Sequence, residues 1–188
     1  MDKSANSERT EPGGSSPSHQ QDFGTISYER MEFLGDMVMD MVVTDYLYRA
    51  KGKEYSPGHM HLRKSAVVNR HILAYLCLKC CVKVRSYMPR PTESGSGIWL
   101  EEEEDNIYLW KCLLHVSPCV LDDQHVTFEK FETLSDAIAD GLENGKIYPW
   151  TALTQLQVPK FFSDMIESLL GTVFLDSEGN LDRTRDVM

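Results

Sequence analysis

With 188 residues, 41% of them hydrophobic and 26% charged, the chain holds enough apolar material for one packed domain. That excludes a fully disordered, collagen-like or coiled-coil polypeptide. Nineteen Lys and Arg against 29 Asp and Glu give a formal charge of −10; such a field repels phosphate backbones and excludes a plain basic nucleic-acid binder.

The first 22 residues contain no Val, Ile, Leu, Phe, Trp, Tyr or Cys, and they include Pro12-Gly13-Gly14-Ser15-Ser16-Pro17-Ser18. A segment of that kind buries too little surface to offset its conformational entropy, so residues 1–24 read as a disordered polar tail ahead of a domain over 25–184. No apolar run reaches the roughly 18 residues of a membrane span. With five cysteines, an odd count, and no signal-peptide core at the N-terminus, the expected setting is intracellular and reducing, in cytoplasm or nucleus.

From Tyr28 onward Met31, Phe33, Leu34, Met37, Val38, Met41, Val42 and Leu47 leave almost no polar side to a helix; this pattern predicts a central helix covered by others. Lys51-Gly52-Lys53 supplies a stop. Ser56-Pro57 reads as a cap with proline at the first helical position, opening a second helix that runs to about Val84. Pro89 and Pro91 break it. Residues 92–106, with Gly95, Gly97 and the run Glu101-Glu102-Glu103-Glu104-Asp105, read as an inserted acidic loop in which like charges stay in water. Ile107, Trp110, Leu113 and Leu114 suggest a short helix before Pro118. Phe128, Phe131, Leu134, Ile138 and Leu142 suggest another, capped by Thr127. A last helix opens at Pro159 and carries Phe161, Phe162, Met165, Ile166, Leu169, Leu170, Val173 and Phe174. The period-2 signal of strands is not convincing anywhere, so the expected fold class is all-α.

Two stripes of carboxylates interrupt the most apolar helices. Glu32, Asp36 and Asp40 fall within an arc of about 80°, with Glu29 on the same stripe. In the last helix Lys160, Asp164, Glu167 and Gly171 share one side. A carboxylate buried without a partner costs several kcal/mol, so each stripe must face water or a cation. Two readings follow. Each stripe is the solvated side of an amphipathic helix, with Lys160–Asp164 an ordinary i,i+4 pair. Alternatively the stripes face each other, and Glu32, Asp36, Asp164 and Glu167 enclose hard oxygen ligands suited to Mg²⁺ or Mn²⁺.

Tyr28-Glu29-Arg30-Met31-Glu32-Phe33-Leu34-Gly35-Asp36 resembles the signature of the ribonuclease III family, and so does its continuation Met37-Val38-Met39-Asp40. Pro159-Lys160-Phe161-Phe162-Ser163-Asp164-Met165-Ile166-Glu167-Ser168-Leu169-Leu170-Gly171 resembles its second motif, and Leu62-Arg63-Lys64-Ser65-Ala66-Val67-Val68-Asn69 its middle helix. Within the family the likeness is to the second ribonuclease III domain of fungal Dicer-like proteins, carried by Thr44-Asp45-Tyr46-Leu47-Tyr48-Arg49 and Ser56-Pro57-Gly58-His59-Met60-His61-Leu62. The earlier His-x-Ser helix and the following double-stranded-RNA-binding domain of the family have no counterpart in these residues, as in an isolated or truncated domain.

The resemblance implies an endoribonuclease that hydrolyses double-stranded RNA with Mg²⁺ or Mn²⁺, leaving 5′-phosphate and 3′-hydroxyl ends, in RNA processing or RNA silencing. Glu32, Asp36, Asp164 and Glu167 look like its metal-binding quartet and Glu29 like an auxiliary acid. Lys160 resembles a lysine close to the scissile phosphate, and Phe33 an aromatic used when such domains pair. The implied partner is a second copy or another ribonuclease III domain, with Phe33, Leu34 and Met37 as the candidate patch. A catalytically silent scaffold of the same fold is the alternative; a metal-free helical interaction protein is a second. Cys77, Cys80 and Cys81, with Cys112 and His115 further on, have spacings that zinc uses, but they lie in apolar helices and read as small hydrophobes. His59, His61, Arg63, Lys64, Arg70 and His71 form the one dense basic stretch, a candidate RNA-backbone contact.

Overall fold

The computed structural model describes residues 27–92 and 97–188. The polar tail expected over 1–24 lies outside the described residues. Seven α-helices, one 3₁₀ turn and one β-hairpin make up the described chain: α1 (Tyr28–Tyr48), α2 (Pro57–Val67), α3 (Arg70–Lys79), β1 (Cys81–Pro91), β2 (Ile98–Tyr108), the 3₁₀ turn Leu109–Cys112, α4 (Pro118–Glu143), α5 (Trp150–Gln155), α6 (Lys160–Asp176) and α7 (Leu181–Val187). The expected helical class holds, with a two-stranded hairpin added to it.

Local chemistry sets most of these boundaries. Ser27 accepts from the Arg30 amide at the start of α1, and Ser56 from the His59 amide, with Pro57 in the first turn of α2. The second helix expected to run to Val84 is instead two. Asn69, extended at φ −143°, accepts from the amides of His71 and Ile72 and starts α3 anew. The helix expected from Thr127 begins at Pro118, and Thr127 is buried in its middle rather than capping it. The helix expected around Ile107–Leu114 shrinks to the 3₁₀ turn.

Residues read as helix end and acidic loop form the hairpin. β1 and β2 pair antiparallel from Cys81↔Tyr108 to Pro91↔Ile98. Across it the acidic run finds cations. Arg90 donates to Glu101 at 2.8 Å and Glu103 at 2.7 Å, and Arg85 lies 3.4 Å from Glu102 and 3.8 Å from Glu104. Opposite charges on neighbouring strands relieve the repulsion that argued for a loop. Pro89 and Pro91 are tolerated because each strand of a two-stranded sheet has a free edge.

The core is centred on α3, not α1. Ile72, Leu73, Ala74, Tyr75, Cys77 and Leu78 are all buried, packed among Met39 of α1, Phe131 and Ile138 of α4, Leu153 of α5, and Phe162 and Leu170 of α6. α1 instead keeps an exposed apolar stripe: Phe33 is 75%, Met37 55% and Met41 58% exposed. Periodicity cannot distinguish such a stripe from a core face, because both are apolar.

α1 and α6 cross at two glycines. A Cβ placed on Gly35 would overlap the Glu167 carbonyl oxygen, and one on Gly171 would overlap the Met31 carbonyl oxygen. The backbones therefore touch where the acidic residues lie. Ser168 adds a hydroxyl donated to the Tyr28 carbonyl oxygen at 3.3 Å, and the Tyr28 hydroxyl donates to the Phe161 carbonyl oxygen at 3.4 Å. Both bonds tie the start of α1 to α6.

Candidate active site

That crossing turns the two stripes toward each other. Carboxylate oxygens of Glu32, Asp164 and Glu167 all lie within 4.8 Å of one another, the one grouping among the described residues close enough to share a metal ion. Asp164 is buried at 8% exposure, and Glu32 and Glu167 are half-buried. Asp36, one turn after Glu32, is exposed and stands outside the group of three, but its charge still reaches Glu167. Asp40 turns away and pairs with Lys64 of α2 at 2.6 Å. Glu29 is exposed in the first turn of α1 and is not among the clustered oxygens.

Lys160 sits at the head of α6 and bridges the helices, its ammonium 2.7 Å from Glu32 Oε1 and 2.8 Å from Asp164 Oδ1. Sequence spacing gives the contact to Asp164, one turn away. The contact to Glu32, 128 positions distant, needs the tertiary crossing. These two hydrogen bonds raise the ammonium pKa, so Lys160 is charged at every working pH. Ser163, which the sequence reading passed over, donates to the Lys160 carbonyl oxygen at 2.7 Å and stands 3.3 Å from Asp164 Oδ1. Nothing in its local sequence pattern marks it, since serine in a first helical turn is commonplace.

One ammonium faces four carboxylates, so the site is short of positive charge. The deficit falls on Glu167. Burial, then the charges of Asp36, Asp164 and Glu32, push its carboxyl up to about 7 from 4.5, with Lys160 offsetting only part. Burial and Asp40 also raise Asp36. Because the folded state holds the Glu167 proton more tightly than the unfolded chain, its stabilising contribution is full below about pH 4.5 and is lost as pH rises through about 7. In metal-free buffer the Glu167→Gln variant is therefore expected to melt progressively higher than the wild type as pH rises from 5 to 8. Melting curves across that range test this; a constant difference would contradict it.

The donor set fits a hard divalent cation. It offers carboxylate oxygens only, from two rigid helices, with Glu167 lacking any hydrogen-bond donor or ion pair among the described residues. The thiols do not form a rival site. Cys77 is buried and its thiol is pushed up to about 12, chiefly by burial, while Cys80, Cys81, Cys112 and Cys119 are exposed and free. No cluster of three thiol or imidazole ligands forms among the described residues. In the basic stretch Lys64 is taken by Asp40, and Arg63 lies over the Tyr55 ring at 4.4 Å.

The chain is 35% identical over 165 residues to Dicer-like protein 2 of Aspergillus oryzae, covering 88% of this chain and 12% of that protein. It is 36% identical over 165 residues to Dicer-like protein 2-1 of Aspergillus niger, with the same coverage. To Dicer-like protein 2 of Coccidioides immitis it is 32% identical over 160 residues, 85% of this chain and 11% of that one. The chain thus spans about 12% of the length of the Aspergillus relatives. Residues 29–178 match the ribonuclease III domain, a span that runs from the first turn of α1 past the end of α6 and so takes in both acid-bearing helices. The chain belongs to the ribonuclease III domain family.

Proposed function

We propose that the domain is a divalent-metal-dependent endoribonuclease of double-stranded RNA, and that Glu32, Asp36, Asp164 and Glu167 hold Mg²⁺ or Mn²⁺. The observation that carries the proposal is the convergence of three carboxylates on a cation-deficient pocket between two helices in backbone contact. Bound there, the ion supplies Lewis-acid activation of water and charge stabilisation at the leaving 3′-oxygen. The chain's own residues do the rest. Glu32, Asp164 and Glu167 fix the position of positive charge because their helices cannot slide apart. Asp36, exposed one turn after Glu32, adds the fourth carboxylate to that hold. Lys160 offsets charge on the attacked phosphate, for which a compact ammonium on a flexible stem is suited. Hydrolysis by water needs no side-chain nucleophile and leaves a 5′-phosphate and a 3′-hydroxyl. Short duplex products of this kind fit RNA processing or silencing inside the cell, and the relatives' name, Dicer-like, supports that setting.

Purified protein incubated with long duplex RNA should give discrete short products with Mg²⁺ and none with chelator. Intact RNA at millimolar Mg²⁺ or Mn²⁺, from protein whose melting temperature the metal raises, would leave a metal-binding scaffold instead.

One site cuts one strand, so a double-strand cut requires two. The exposed stripe Phe33, Met37 and Met41 is adjacent to the acids on α1 and supplies a self-complementary patch for a two-fold pair. Leu34, expected in that patch, is half-buried within the protomer. Phe33→Glu is expected to shift the protein from dimer to monomer by size exclusion with light scattering, and to convert double-strand cuts to nicks. A wild type that is monomeric yet makes double-strand cuts would sink the pairing.

A further inference from the structure

At the far end of α1 from the acids lies a cavity of about 580 Å³ that the cleavage chemistry does not use. In a chain of net charge −10 its lining is basic: Arg49, Lys51, Lys53, Arg63 and Arg185 stand against the single carboxylate of Asp45. Asp45 is already shared, 2.6 Å from Arg49 and 3.0 Å from Arg185, and Arg185 also meets Asp182 at 2.8 Å. Lys51 and Lys53 make no ion pair among the described residues and are exposed. These two ammonium groups leave the cavity with positive charge available to an anion.

The same lining carries aromatic surface. Tyr46 is 71% exposed, and Tyr55 holds the Arg63 guanidinium over its ring at 4.4 Å. A tyrosine ring with a flat guanidinium against it is a stacking platform of the kind that takes an unpaired base. Gly52, at φ +75°, turns the chain between Lys51 and Lys53, which line the same cavity as Tyr55 and Arg63.

We propose that this cavity binds unpaired nucleotides of RNA, a base stacking on Tyr55 and Arg63 while Lys51 and Lys53 hold its phosphates. An intact duplex keeps its bases stacked inside and presents only phosphates on a convex surface, so it uses the lysines but not the ring. Asp45 follows Glu32 by 13 residues in one helix, a separation of about 20 Å or roughly six steps of a stacked strand. A single-stranded end or bulge beside the cleaved duplex spans that distance. The inference rests on RNA being the substrate of the acidic site.

The test is fluorescence anisotropy in chelator, with no cleavage, using a labelled 12-nucleotide single-stranded RNA and a blunt duplex of the same length. The single strand should bind more tightly, with micromolar affinity at low salt. Tyr55→Ala should weaken it by about 5- to 150-fold, the range of one base-stacking contact, while Tyr55→Phe retains it. Replacing exposed Lys51 and Lys53 by Gln should reduce the single-strand salt slope by about 1.4, without risk to the fold. Glu167→Gln should bind as wild type does. Equal or tighter binding of the blunt duplex, or unchanged single-strand affinity in both Tyr55→Ala and the double lysine variant, overturns the site. Failure of the cleavage proposal shows separately, as intact long duplex RNA in Mg²⁺ with the wild-type protein.

Discussion

Glu167→Gln is expected to reduce cleavage of duplex RNA by about 10²–10³-fold or more, the scale on which removal of one preorganised electrostatic group lowers a rate. The substitution keeps the shape of the side chain and removes one charge of four from a pocket that has a single ammonium. Loss of that charge weakens the hold on a divalent cation, so the metal-induced rise in melting temperature should shrink in parallel. The metal-free fold should be as stable as the wild type or more so, because the crowding that raises Glu167 to about 7 is relieved. Asp40→Asn is the matched comparison. It lies on the same stripe of α1 but is paired with Lys64, so it should cost a modest amount of stability and little activity. Wild-type cleavage by Glu167→Gln, measured on single-turnover time courses in Mg²⁺, would show that the acids are not the catalytic centre.

Gly35→Ala is expected to be the most destabilising small substitution in the chain, at about 3 kcal/mol or more. Its new Cβ meets the backbone of Glu167, which cannot rotate away as a side chain would, so α1 and α6 must separate. Gly171→Ala pushes on the same crossing from the other side, against the backbone of Met31. A domain of this size has about 5–15 kcal/mol of total stability, so either change removes a large part of it. The functional loss should exceed the stability loss. Even below the melting temperature, carboxylates on separated helices no longer converge, and added Mg²⁺ should no longer raise the melting temperature. Gly58→Ala provides the contrast: a Cβ there meets nothing within 4 Å, and in the first turn of α2 it should be neutral or slightly stabilising. Thermal melts of the three variants decide the matter; a Gly35→Ala protein melting like the wild type would refute the close crossing.

Chemistry that repeats at helical spacing can be read from the order of residues alone. The stripe of Glu32, Asp36 and Asp40, the pairing of Lys160 with Asp164, and the caps at Ser56-Pro57 and Pro159 depend only on neighbours within a turn or two. The helical class and the acidic residues were therefore legible. The hairpin was not. Val82, Val84 and Met88 do alternate with Lys83, Arg85 and Tyr87, but the alternation is short, and the opposing run Glu101–Glu104 looks repulsive until Arg85 and Arg90 lie across from it. The break at Asn69 was equally hidden, because apolar residues recur at helical spacing on both sides of it. Which apolar helix is central was also decided by the fold. α1 and α3 are both rich in apolar residues, yet α3 is enclosed and α1 exposes Phe33, Met37 and Met41, since burial depends on what packs against a face and not on the face itself. The site depends on the same tertiary step. Two stripes at opposite ends of the sequence fit either solvated helix faces or a shared pocket. Only the contact of Gly35 and Gly171 with the opposing backbone brings Glu32 within reach of Asp164, Glu167 and the Lys160 ammonium.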